Sequence, residues 1–145
     1  MIRISIITPT LNAIATVQET LDSVRQQSNS AIEHIALDAG STDGTLEYLR
    51  SQSNHLSKII AEPDDGIAHA FNKGIRAASG EYVMFLNADD YLHPNVLAEA
   101  CSFIEAQGHP DVVYGAIEYL DGSLKYTEQP NLAKIWCYMS IFHPA

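Results

Sequence analysis

Residues 87–90 read Asn-Ala-Asp-Asp and follow the apolar run Tyr82-Val83-Met84-Phe85-Leu86 without a spacer. That run is short, rich in β-formers and bounded by Gly80, so it reads as a buried strand. Adjacent carboxylates at the end of such a strand repel each other. Mg²⁺ or Mn²⁺ offsets the repulsion, because hard cations prefer carboxylate oxygens. In open α/β sheets ligands bind beyond the carboxyl ends of the strands, so Asp89 and Asp90 are suited to a metal with an anionic ligand. A competing reading makes Asp90 the N-cap of a helix opening near Pro94. The tetrapeptide alone leaves both open.

Earlier strand ends deliver polar groups in the same way: Thr8 and Asn12, then Asp38, then Glu62 and Asp64. Their repetition points to one shared site. Asp38 can accept from the imide N–H of a uracil-like base, and it can equally cap the turn Ser41-Thr42-Asp43. Lys73, beside Asn72 in a helical pattern, can reach phosphate, although a lone helical Lys is more often solvated. The sequence has neither a G-x-G-x-x-G nor a Walker A spacing.

These positions require alternating elements. Strands are expected at 4–8 (stopped by Pro9), 32–37, 58–61, 82–86 and 111–114. Helices are expected at 13–27, with Ile14, Val17, Leu21 and Val24 on one face, around Leu46 and Leu49, at 67–78 and at 94–107. The alternation implies an α/β fold, a Rossmann-like mostly parallel sheet in one domain spanning 1–145. Segments 116–120 and 123–127 flank Asp121-Gly122, a hairpin signal, and the hairpin is expected to extend the parallel sheet. Residues 132–145 carry Ile135, Trp136, Tyr138, Met139, Ile141 and Phe142 with no polar closing element. Such a segment seeks a cover, so the chain reads as cut short, with self-association through this segment as the expected remedy.

The 145 residues are 46% hydrophobic and 18% charged, ordinary for a globular domain, and the net charge of −10 argues against non-specific nucleic-acid binding. No apolar stretch reaches membrane-spanning length, and Met1-Ile2-Arg3-Ile4 runs directly into a strand pattern. The expected location is cytoplasmic, including the inner face of the membrane. Cys101 and Cys137 lack metal-site spacing and are expected to be reduced thiols.

Taken together, Ser5-Ile6-Ile7-Thr8-Pro9-Thr10-Leu11-Asn12 and Asp38-Ala39-Gly40-Ser41-Thr42-Asp43-Gly44-Thr45 resemble family 2 glycosyltransferases of the GT-A fold. Glu62-Pro63-Asp64-Asp65-Gly66-Ile67, Ala70-Phe71-Asn72-Lys73-Gly74-Ile75 and Phe85-Leu86-Asn87-Ala88-Asp89-Asp90 continue the resemblance in order. It implies a nucleotide-sugar donor, UDP- or dTDP-linked, and transfer with inversion to a saccharide or lipid-linked acceptor in cell-surface polysaccharide synthesis. Thr8, Pro9 and Asn12 would line the nucleoside pocket, Asp38 would receive the base N–H, and Asp64 would lie beside base or ribose. Asn72, Lys73, Asn87 and Ala88 complete the implied donor-binding set. Asp89 would be the main ligand of Mn²⁺ or Mg²⁺, with Asp90 next to it. Asn87 and His69 stand where many members carry Asp, and neither His69 nor His143 receives a role.

The general base of such enzymes lies well after the hairpin, beyond Ala145, which leaves a nucleotide-sugar-binding module without transfer activity as the alternative. A haloacid-dehalogenase-like phosphatase would need a nucleophilic Asp where Thr8-Pro9-Thr10 stands. A nucleotidyltransferase would need a Gly-rich basic loop where Asn12-Ala13-Ile14 stands. A purely structural protein leaves the aligned strand-end groups unexplained.

Overall fold

Ile4, Ile6 and Ile7 are wholly buried because they sit on a central strand with helices over both faces of the sheet. The computed structural model describes residues 1–28, 31–121, 124–128 and 140–142. Strands β1 (Ile4–Thr10), β2 (Ile32–Asp38), β3 (Lys58–Ala61) and β4 (Tyr82–Phe85) alternate with helices α1 (Val17–Arg25), α2 (Thr45–Ser51) and α3 (Ile67–Ala77). Helix α4 (Val96–Ala106) then leads to β5 (Val112–Tyr114), β6 (Ile117–Asp121), β7 (Leu124–Glu128) and β8 (Ser140–Phe142). The main sheet has the order β3-β2-β1-β4-β8-β5, with β1 to β4 mutually parallel. The expected α/β, mostly parallel architecture is therefore present.

Side chains of successive strand residues point to opposite faces, and the core divides accordingly. Ile4, Ile6, Tyr82 and Met84 pack with Val24 of α1 and with Leu97 and Ile104 of α4. Ala36 joins Val17, Leu21 and Leu49 on the same side. On the other face Ile7, Ile35, Leu37 and Val83 meet Phe71 of α3 and Phe85. Gly74 lets α3 settle closely there: a Cβ at this position would lie 2.3 Å from Cγ2 of Ile7.

Three expectations are corrected. Pro9 does not stop β1, since it pairs in register with Leu37 and the strand continues to Thr10. Ile7 accepts from Leu86 on the β4 side, so by alternation the missing N–H of Pro9 faces the same side. There β4 has already ended at Phe85, and no ladder bond is lost. Second, α1 is shorter than expected. Residues 12–14 give their N–H groups to Ser41, Thr45 and Asp43, and Ile14 is 41% exposed. Third, β6 and β7 form the expected antiparallel hairpin, but as a separate two-stranded sheet rather than on the main one. It is β8 that enters the main sheet, antiparallel to both β4 and β5. Ser140–Phe142 thus folds back onto the sheet, while Trp136, Cys137, Tyr138, Met139 and His143 lie outside the described residues.

Candidate functional site

Parallel strands bring every following loop to one edge of the sheet, so the β1–α1, β2–α2, β3–α3 and β4–α4 connections share the carboxyl end. The first two are laced together. Asn12, with φ of 52°, donates its N–H to Ser41 Oγ at 2.9 Å and accepts from the Thr42 N–H at 2.9 Å. Asp38 is 1% exposed and organises the loop that follows it. Its Oδ1 accepts from the N–H groups of Gly40 at 3.1 Å and Ser41 at 2.9 Å, and its Oδ2 from Ser41 Oγ at 2.6 Å. The turn-forming reading of Asp38 is thus realised. Thr10 Oγ1 stands 3.1 Å from Asp38 Oδ2 and 3.0 Å from the Leu37 carbonyl. One hydroxyl proton serves only one acceptor, so bonding to Leu37 leaves Oδ2 with room for another donor.

Thr8 differs from its expected placement. It is fully buried, with Oγ1 3.0 Å from His34 Nε2, so its hydroxyl faces the core. Burial holds the His34 pKa down to about 4, leaving a neutral imidazole. Pro9 is half-buried and Asn12 exposed. Leu11 is 60% exposed beside them, an apolar surface that the motif reading passed over.

The β3–α3 loop is closed by its own groups. Asp64 Oδ1 accepts from the Gly66 N–H at 2.9 Å, and the Asp65 N–H donates to His69 Nδ1 at 3.2 Å. His69 therefore acquires a role, fastening the loop to the first turn of α3. Lys73 also departs from expectation. Its Nζ lies 2.6 Å from the Pro63 carbonyl and 3.5 Å from Glu62 Oε2, and its side chain is only 12% exposed. The ammonium is engaged by this loop, whereas Asn72 is exposed on α3.

The β4–α4 connection carries the acidic motif. Ala88 is buried, while Asp89 and Asp90 are exposed. Asn87 Nδ2 donates to Asp90 Oδ2 at 3.0 Å. Partial desolvation of the carboxylate raises the Asp90 pKa although the residue as a whole is exposed, the Asn87 hydrogen bond lowers it, and the Asp89 charge raises it again, with a net upward shift. The N-cap position of α4 is Asn95, so the capping alternative for Asp90 fails. Sequence reasoning missed what holds this loop. Thr20 Oγ1 donates to the Asp90 carbonyl at 2.7 Å, Ser23 Oγ accepts from the Leu92 N–H at 3.0 Å, and Gln27 bonds His93 and Leu97. Polar residues at spacings of three and four, Thr20, Ser23 and Gln27, were the available signal.

Among the described residues no group of three or more His, Cys, Asp or Glu side chains gathers to hold a cation. The acidic motif still suits one shared with a ligand. Asn87 Oδ1 is buried without a partner among the described residues, and Asp90 lies beside Asp89 with its pKa raised. Mg²⁺ and similar ions are commonly held by one or two carboxylates plus substrate phosphates rather than by an all-protein cage. Asp89, Asp90 and Asn87 fit that pattern.

Residues 5–143 match the family described as Glycosyl transferase family 2. A glycosyltransferase of PGL/p-HBAD biosynthesis from Mycobacterium bovis (strain BCG / Pasteur 1173P2) is 32% identical over 97% of this chain, which spans 57% of that relative. Staphylococcus aureus TarS (residues 1–349), solved with UDP-GlcNAc, superposes with a TM-score of 0.77 at 28% identity, covering 84% of this chain and 36% of that one. The mannosyltransferase PcManGT from Pyrobaculum calidifontis, solved with GDP-Man and Mn²⁺, has a TM-score of 0.67 at 30% identity, covering 83% and 36%. The layered sheet is that of the GT-A fold, and the chain belongs to glycosyl transferase family 2.

Proposed function

We propose that the carboxyl end of the sheet binds a nucleotide-sugar, UDP- or dTDP-linked, and that the chain is the donor-binding part of an inverting, cell-surface polysaccharide glycosyltransferase. The observation that carries this reading is the electrostatically incomplete Asn87-Ala88-Asp89-Asp90 motif beside the laced Asn12 and Asp38 loops. The neighbours solved with UDP-GlcNAc and with GDP-Man and Mn²⁺ support it. In this reading Leu11 and Pro9 offer an apolar wall to the base, and Asp38 Oδ2 accepts the imide N–H when Thr10 turns to Leu37. Asp64 lies beside the ribose, and Asn87 bonds ribose or an ordered water. Asp89 is the principal ligand of a divalent cation, with Asp90 adjacent. A cation held there supplies neutralisation of the charge that develops on the leaving diphosphate. Lys73 acts indirectly, by fixing the Glu62–Pro63 backbone that leads into Asp64.

Calorimetric titration with UDP, dTDP and GDP, each in Mn²⁺ and in EDTA, tests the donor reading. Binding is expected for UDP or dTDP, strengthened by Mn²⁺ and weaker for GDP. Equal affinity for all three nucleotides, unchanged by EDTA, would overturn the base and metal assignments together.

A further inference from the structure

We propose that Thr20 and Ser23 of α1, together with Gln27 just past its end, are positioning residues for Asp89 and Asp90, an inference that rests on the metal and donor reading above. Thr20 and Ser23 lie on α1 and Gln27 two residues past Arg25, and each grips the backbone of the β4–α4 connection. Thr20 Oγ1 donates to the Asp90 carbonyl at 2.7 Å, and the Leu92 N–H donates to Ser23 Oγ at 3.0 Å. Gln27 Nε2 donates to the His93 carbonyl at 2.9 Å, and its Oε1 accepts from the Leu97 N–H at 3.2 Å. Among the three, Ser23 Oγ donates to the Thr20 carbonyl at 2.8 Å and Gln27 Nε2 to the Ser23 carbonyl at 3.1 Å.

This is more than helix packing. Residues 86–95 contain no strand or helix, and among the described residues the one backbone bond closed within 87–92 is Asp90 N–H to the Asn87 carbonyl at 3.1 Å. Downstream of that turn the loop is held by Thr20, Ser23 and Gln27, alongside the Val96 N–H to His93 carbonyl bond at 3.4 Å and the His93–Glu118 contact at 2.9 Å. Thr20 is 1% and Gln27 8% exposed, so water competes weakly for these bonds. The residues leading into α1 are in turn fastened to the β2–α2 loop: Ala13 to Thr45 at 2.9 Å and Ile14 to Asp43 at 3.0 Å. Helix α1 is thus fastened at its entry to Asp43 and Thr45 after β2 and along its length to the acidic motif.

The test compares Thr20→Val, which removes the donor to Asp90, with Thr20→Ser, which keeps it. UDP is titrated into each variant of the 145-residue chain, with saturating Mn²⁺ and with EDTA. The strengthening by Mn²⁺ is expected to fall roughly three- to tenfold in Thr20→Val, the scale of one buried hydrogen bond. Affinity in EDTA should stay within about twofold, and Thr20→Ser should restore the Mn²⁺ effect. An unchanged Mn²⁺ effect in Thr20→Val, or an equal loss in Thr20→Ser, overturns the proposal. If Thr20→Val does not fold, Ser23→Ala, which frees the Leu92 N–H, is read the same way. Amide hydrogen exchange separates the two levels of inference. If the wild-type chain shows no Mn²⁺-strengthened UDP binding, the donor reading fails. The latch is then judged by whether residues 88–92 exchange faster in Thr20→Val but not in Thr20→Ser, and equal exchange rejects it.

Discussion

At the amino end of the sheet, Glu33 is buried beneath the turn that follows α3. Its carboxylate accepts from Ser5 Oγ at 2.6 Å and the Ser79 N–H at 2.7 Å, and Lys58 Nζ stands 3.3 Å away. Gly80 seals the arrangement, since a Cβ there would lie 2.7 Å from the Ser5 backbone nitrogen. Burial pushes the Glu33 pKa up, yet the bonds from Ser5, Ser79 and Lys58 outweigh it and hold the group at about 2. At the carboxyl end the balance is reversed. Asp90 is shifted upward, Asp89 is exposed beside it, and Asn87 Oδ1 has no partner among the described residues. The contrast teaches how to read an acid at a strand end. Where the fold itself completes the electrostatics, the acid is architecture; where it leaves them incomplete, the acid awaits a ligand.

The contrast breaks most visibly at Glu33. Glu33→Ala should destabilise the chain by about 2 kcal/mol, because it leaves the Ser5 hydroxyl and the Ser79 N–H without their acceptor, whereas Asp90→Asn should leave stability unchanged or raise it. Urea unfolding midpoints decide this, and equal losses would erase the distinction. The same carboxylate predicts an acid limb. Its folded pKa of about 2 lies below the ordinary 4.5, so its contribution is complete above pH ~4.5 and disappears as pH falls toward ~2. His34, held down to about 4 from 6.5, adds a loss as pH falls from ~6.5 toward ~4, because only the unfolded state takes up that proton freely. Glu33→Gln should flatten the lower part of the curve while leaving the upper part in place.

At the other end, Asp89→Asn should weaken Mn²⁺-supported UDP binding by about 1.5–3 kcal/mol, and Asp90→Asn by less. Calorimetry with and without EDTA reads the ratio. Asp38→Ala should erase a preference for UDP over GDP of similar size. Retention of wild-type discrimination would confine Asp38 to its loop bonds with Gly40 and Ser41. The smallest effect concerns His93, whose Nε2 lies 2.9 Å from Glu118 Oε2 and joins the acidic loop to the hairpin. With His93 58% exposed, His93→Ala should cost no more than about 1 kcal/mol, measured by thermal melting.

Composition and period were enough to specify the alternating strands and helices, their approximate limits and the edge of the sheet where the polar groups would meet. Ordered motifs sufficed for the family. These signals are local: a buried strand needs a run of β-formers, and a strand end needs a polar turn wherever the chain is found. What the tertiary structure alone decided depended on partners far away in sequence. Thr8 and Lys73 look available in the sequence, yet His34 occupies the first and the Pro63 carbonyl the second. Asp90 as cap or as ligand was undecidable until α4 began at Val96 rather than near Pro94. Pro9 reads as a strand breaker until its missing N–H is found facing a position where β4 has already ended. The destination of β8 could not be read locally either, since three residues carry no pairing address. Their place between β4 and β5 is set by the backbone groups those strands leave open.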